Sequence, residues 1–427
     1  MGKAIKTIPL ILLVLAIGLS PGFSAGHLAG GKIIELRAED LLVFVFGLWW
    51  VISLFFFPKE KIERPALLGP VLFWLSICLA SFLINYFLVN LSFSKGFFYL
   101  LKEIQYFFLY FYFFYNIKDI KAVKAVVSAW FFVAFANIVY IIYQVYNKSI
   151  AGNIYQFIIG QKIGNADYGA SAIAEEGSLP RGMFFLLIFA FLVNIFLYYY
   201  LKSNISKTKK TILGIISLSS FAGVFYSGSR TAFLGLVFVV FLTLTLFILK
   251  KKSLKMLYGA VVVLIVILIL FFSLPKSFVG PRRIIKTVSS KEMLVSEIYR
   301  SRIESGMMPT LKRAMAEKNY LVPFIGFGKG YFGEGHNQYL LNFISTGIIG
   351  SFAFFVLIFA IVKKSFKYFL KGKDSLSVGL STGLLIATLG MLFCSLASDP
   401  FLVVKSAETY WSFAGLALAV LSIKKYE

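Results

Sequence analysis

Three short stretches of this sequence carry side chains suited to chemistry on an anion. The first is Ser227-Gly228-Ser229-Arg230-Thr231-Ala232, a tight turn between two apolar runs. An arginine at such a place is costly unless paired or solvated, and its planar fork matches phosphate oxygens. Arg230 therefore either snorkels to lipid headgroups or points into a cavity that holds an anion. The second stretch, 273–335, carries eleven Lys and Arg against five Glu, and within it Arg300 and Arg302 offer two more forks. The third is the glycine-rich run from Gly326 to Gly335, followed by His336 and Asn337. A helix starting here favours a neutral imidazole, the form a general base needs, and Asn337 suits its N-cap. The plainer reading of His336 is an amphipathic anchor at a membrane interface.

Other chemistries are poorly supplied. The chain has two histidines, His27 and His336, and two cysteines, Cys78 and Cys394, which give neither a metal-ligand spacing nor a disulfide framework. Both cysteines sit in apolar runs and read as packing residues. The alternating glycines are not a nucleotide loop, since no strand precedes them. They read as a compact turn that lets backbone approach a ligand or a neighbouring helix. Further ionisable groups lie at or near apolar spans: Lys102 and Glu103 together, and Arg181. Intramembrane charges default to function, with pairing between helices as the alternative.

The elements that must position these groups are helices in lipid. Of 427 residues, 59% are hydrophobic and only 15% charged, with a mean hydropathy of +0.84. Soluble proteins carry about 25% charged residues. Apolar runs long enough to cross a ~30 Å hydrocarbon layer recur throughout, and they are continuous rather than alternating, which excludes a barrel. The expectation is an all-α polytopic protein with spans near 5–19, 41–57, 66–89, 96–117, 125–146, 183–201, 211–227, 231–249, 256–274, 337–362, 376–397 and 410–423. Residues 1–427 read as a single membrane domain. The first run could be a cleaved signal peptide; a retained helix is expected, because its loss leaves an odd number of spans.

The formal charge of +24 is compatible with nucleic acid, acidic lipid or an anionic substrate. Its distribution selects the last two. Lysines crowd alternate short connections, such as Lys207–Lys210, Lys250–Lys252 and Lys363–Lys373, while the opposite short connections are nearly bare. Positive short loops mark the cytoplasm, so both termini are expected there, in a bacterial inner membrane. Two long connections, 147–182 and 273–335, then fall on the periplasmic side. Long segments cross regardless of charge, so their arginines are free to report function. Between Glu292 and Glu317 an amphipathic helix is expected on the membrane surface, broken near Gly306 and Pro309.

Taken in order, these motifs resemble the O-antigen ligase and polymerase superfamily. The SGSR phrase ending at Arg230 is similar to that family's first signature. An arginine-bearing outer loop, a glycine-rich turn, His336-Asn337-Gln338-Tyr339-Leu340 and then Thr346-Gly347-Ile348-Ile349-Gly350 follow in the family's order. The likeness covers roughly 227–350; the first half agrees only in hydropathy. One departure is that Gly306, Met307 and Met308 stand where an aromatic usually follows the loop arginine.

The resemblance implies a membrane glycosyltransferase (GT-C-like) fold, without metal or cofactor, moving a glycan from undecaprenyl diphosphate to lipid A–core. It assigns Arg230 to the diphosphate, Arg302 (or Arg300) to the same charge, and His336 to activation of the acceptor hydroxyl. Lys102, Arg181 and Asn337 are expected beside the substrate. The alternatives are a polymerase, with another lipid-linked glycan as acceptor, and a flippase for lipid-linked oligosaccharide. The flippase is disfavoured because no internal repeat is visible and charge gathers on one face. Cysteines introduced at positions 252 and 373 should resist a membrane-impermeant maleimide in intact cells, while cysteines at 160 and 285 should react; the reverse pattern overturns the orientation.

Overall fold

The computed structural model describes residues 3–27, 33–56, 64–88, 91–146, 178–251, 308–316, 321–331 and 337–423. In chain order the helices are α1 (Lys3–Leu19), α2 (Ala38–Phe56), α3 (Leu68–Leu88), α4 (Phe93–Asn116), α5 (Ile120–Tyr146) and α6 (Ser178–Ile195). Next come α7 (Lys207–Tyr226), α8 (Arg230–Lys251), the short α9 (Met308–Ala316) and α10 (Leu321–Ile325), then α11 (Gln338–Lys371), α12 (Ser375–Cys394) and α13 (Val404–Ile423). Six of the described helices, α3, α5, α6, α8, α11 and α12, are long and apolar enough to cross a membrane. The chain is thus a helical, membrane-embedded protein. Other expected spans coincide with helices short of that mark: Lys102, Glu103 and Gln105 interrupt α4, and Lys405 and Glu408 interrupt α13. The expected span 256–274 lies outside the described residues.

One departure from the all-helical expectation is a two-stranded antiparallel ribbon, β1 (Phe23–His27) on β2 (Ile33–Leu36), with an irregularity between Ser24 and Gly26. The β-branched pair Ile33-Ile34 favours extended backbone, and the ribbon joins α1 to α2.

The centre of the bundle is α6, α12 and α13, which are buried almost throughout and present no polar stripe to a solvent. Gly379 and Gly383, four residues apart and so on one face, lie against the backbone of α6 at Ile195 and Phe191. Small residues at such a seam let helix backbones approach closely where no hydrophobic force separates helix from lipid. Rings fill the remaining space: Phe191 stacks on Phe413 at 3.9 Å, and Trp411 meets Phe107 edge-on at 4.6 Å. The hydroxyls of Ser381, Thr382 and Thr388 donate back into their own helix, which meets these donors without solvent.

Helix α11 is broken at Gly347, whose φ of 66° and ψ of −168° are non-helical. The break is filled by the glycine-rich turn. Phe327 N donates to Ile344 O at 2.8 Å and Gly328 N to Ser345 O at 2.9 Å. From α3, Ser81 Oγ donates to Ile325 O at 2.6 Å and to Ser345 O at 2.9 Å, and Asn85 Nδ2 donates to Gly326 O at 3.0 Å. The turn adopts φ of 73° at Gly326, 88° at Gly328 and 89° at Gly330, values that disfavour any side chain. It is the compact turn expected, and it approaches neighbouring helices. Helix α9 starts with Pro309 in its first turn, where a missing N–H costs nothing, and Leu311 packs toward the small cluster of Val322, Phe327, Leu341 and Ile344. Residues 292–307 of the expected surface helix lie outside the described residues.

A Cβ at Gly347 meets the Phe324 backbone in a region of φ/ψ reserved for glycine, a strain of about 1–3 kcal/mol. Gly347→Ala should therefore lower the thermal midpoint in nanodiscs by several degrees, whereas Gly69→Ala, in open space, should leave it unchanged.

Candidate functional site

The SGSR turn is held by its own serines. Ser227 Oγ donates to Val224 O at 2.6 Å and accepts from Ser229 N at 3.2 Å. Gly228 turns the chain at φ 70°. Ser229 Oγ then accepts from Ala232 N at 3.2 Å, capping α8, and Arg230 becomes the first residue of that helix. Arg230 as a residue is half-buried at the positive end of a helix dipole, where an anion is favoured. No described carboxylate pairs with it. Gly182 lies against Ser227, Ser229 and Ala232, so the backbone beside Arg181 adjoins the same turn; the Arg181 side chain lies outside the described residues.

The third motif starts α11. Asn337 caps it, its Oδ1 accepting from Leu340 N at 3.0 Å while its Nδ2 donates to Leu396 O at 3.0 Å. Gln338 N is shared between Ser395 O at 3.0 Å and Ser398 O at 2.9 Å, and Tyr339 donates to Leu392 O at 2.7 Å. The end of α12 thus holds the start of α11. It also reaches the SGSR turn: Cys394 Sγ donates to Thr231 O at 3.5 Å. Residues 394–398 therefore bridge the first and third motifs at one end of the bundle. His336, which immediately precedes the cap, and Arg300 and Arg302 lie outside the described residues.

At the same end lies a layer of buried charges. Lys405 of α13 pairs with Glu39 of α2, both fully buried, and donates to Ala16 O at the end of α1; Ser20 Oγ donates to Glu39 Oε2 at 2.6 Å. Lys102 of α4 donates to Asp40 Oδ1 at 2.8 Å and to Gln105 Oε1 at 3.0 Å. Gln105 Nε2 in turn donates to Asp40 at 2.7 Å and to Glu408 Oε1 at 2.9 Å. Helices α1, α2, α4 and α13 are tied together by these bonds. Lys102 is thus already paired within the protein, the alternative weighed for it above. Glu103 is paired as well. It accepts from Trp74 Nε1 at 3.0 Å and pairs with Lys329 of the glycine turn, whose ammonium stands 4.6 Å from the Trp74 ring centre. Burial disfavours the Lys329 ammonium, but the Glu103 charge, the neighbouring Cys78 and the hydrogen bond to Glu103 together hold its pKa above the ordinary value.

Lysines at this end, Lys102, Lys329 and Lys405, thus face carboxylates, and Arg230 faces none among the described residues. A half-open cavity lies between the glycine turn, α4 and α11, lined by Tyr99, Glu103, Lys329, Gln338, Asn342 and Phe401 among others. No group of three or more His, Cys, Asp or Glu among the described residues is placed to hold a metal.

Sequence reasoning missed the partnership of Glu39, Asp40, Gln105, Lys405 and Glu408. A signal was present: Lys405 and Glu408 lie three apart, hence on one face, at the start of an otherwise apolar helix. Which carboxylates they meet depends on helix neighbours that no local pattern reports. In comparisons with known proteins, no family model and no curated protein matches this chain.

Removing one partner of the Lys329–Glu103 pair strands the other charge, a loss of about 3–5 kcal/mol for a buried pair. Lys329→Met and Glu103→Gln should each strongly destabilise the protein in chemical unfolding, while the double variant should recover most of the loss.

Proposed function

We propose that this chain is a glycosyltransferase of the O-antigen ligase type, moving a glycan from undecaprenyl diphosphate to lipid A–core at the periplasmic face of the inner membrane. The observation that carries the reading is the bridge at 394–398, which gathers the SGSR turn and the start of α11 at one end of the bundle, beside a guanidinium with no described carboxylate. Motifs more than a hundred residues apart in sequence then serve one site.

In this reading Arg230 holds the diphosphate through charge-assisted hydrogen bonds, with Arg302 or Arg300 supplied by the outer loop. Diphosphate is a good leaving group, so positioned cations matter more than a general acid. The acceptor hydroxyl oxygen attacks the anomeric carbon as the bond from that carbon to the phosphate oxygen breaks. His336 takes the hydroxyl proton, and the electron pair leaves on the diphosphate. A single displacement of this kind inverts the anomeric centre. The chemistry runs without a metal or cofactor. The ligase is preferred to the polymerase because the compact histidine motif resembles it, and because a basic outer loop suits a phosphorylated lipid acceptor.

Purified protein in nanodiscs, given both lipid substrates and no energy source, should transfer glycan with inversion. His336→Ala and Arg230→Ala should each reduce the rate by about a hundredfold or more; full activity in both overturns the mechanism. In cells lacking the gene, free lipid A–core beside intact lipid-linked polymer supports the ligase, and core bearing one repeat unit assigns the chain to polymerases instead.

A further inference from the structure

The cavity beside the glycine turn is electrically balanced. Glu103 and Lys329 neutralise each other there, so neither an anion nor a cation finds a net opposite charge. The neutral groups around it are oriented by hydrogen bonds. Phe401 N donates to Gln338 Oε1 at 3.2 Å, which turns Gln338 Nε2 the other way, onto Asn342 Oδ1 at 2.9 Å. A backbone N–H can only donate, so both amides are fixed in sequence. Asn342 is left presenting Nδ2, and this buried donor has no acceptor in the protein. Native structures rarely leave such a group unmet. Asn342 also lines the cavity, whose free space takes about one water-sized group.

We propose that this notch receives one hydroxyl of an uncharged sugar residue. The hydroxyl oxygen accepts from Asn342 Nδ2, and its proton is donated to the Glu103 carboxylate. Each Glu103 oxygen already accepts one bond, from Lys329 or from Trp74, and keeps capacity for another. A phosphate oxygen has no proton to give the carboxylate, and a methyl group leaves the amide stranded; a hydroxyl satisfies both. The notch calls for a neutral hydroxyl, and its assignment to a saccharide rests on the glycan-transfer reading. Gln338 stands two residues beyond His336 in sequence, so a sugar gripped here is oriented relative to the start of α11. Asn342 acts as a specificity residue.

Saturation-transfer NMR on the full chain in nanodiscs, with methyl glycosides of glucose, galactose and N-acetylglucosamine as probes, tests this. At least one glycoside should bind, inorganic pyrophosphate should not displace it, and Asn342→Leu and the isosteric Asn342→Asp should each weaken binding about tenfold. Equal binding in either variant that elutes as folded protein overturns the proposal. So does the absence of glycoside binding to the wild type, which leaves water as the occupant. Failure of the two ideas is separable: glycan transfer with Asn342-independent binding removes the notch alone, and Asn342-dependent binding without transfer removes the glycosyltransferase reading alone.

Discussion

Where helix α11 breaks at Gly347, two carbonyl groups lose their helical partners. The glycine turn and α3 are arranged around that debt of hydrogen bonds. The glycine turn meets it with Phe327 N and Gly328 N, and α3 adds Ser81 and Asn85. Irregular backbone within a membrane protein survives only where it is buried in protein or lines a cavity, and here both conditions hold. The turn reaches the break only because Gly326, Gly328 and Gly330 accept left-handed conformations. Once docked, it delivers Lys329 to Glu103 and Trp74 and forms one wall of the cavity.

A second constraint is charge. Glu39, Asp40, Lys102, Glu103, Lys329 and Lys405 are withdrawn from solvent at one end of the bundle. Each such charge is tolerable only with a partner close by. Their bonds cross between α1, α2, α4, α13 and the glycine turn, so the layer fixes how these elements sit relative to one another. The opposite end uses lysines differently: Lys250 donates to the final carbonyls of α11, Phe369 O at 2.7 Å and Leu370 O at 2.9 Å, a favourable place for a cation. Paired charges thus mark one end and capping lysines the other.

Much of this was legible in the residues. The apolar runs reported helices in lipid because length and continuity of hydrophobicity are local properties. Asn337 was legible as a cap because a cap needs only its own side chain and the next turn. The glycine run was legible as a tight turn for the same reason. The partner of that turn was not, since Ser81, Asn85 and Ser345 are distant in sequence. Lys102 could be read as a functional cation or as a residue pairing with another helix, and no local pattern reports the partner it meets, Asp40 of α2.

By itself the sequence determined the helical, membrane-embedded class, the capped start of α11 and the turn chemistry around Ser227–Ser229, all of which depend on residues within a few positions of one another. The tertiary structure decided which charges neutralise each other, which carbonyls the glycine turn fills, and that the end of α12 joins two remote motifs. Those outcomes hinge on which helices become neighbours, and helices with no polar stripe carry little local record of that choice. It is made by close packing at glycine seams and by buried hydrogen bonds that exist only once the bundle has closed.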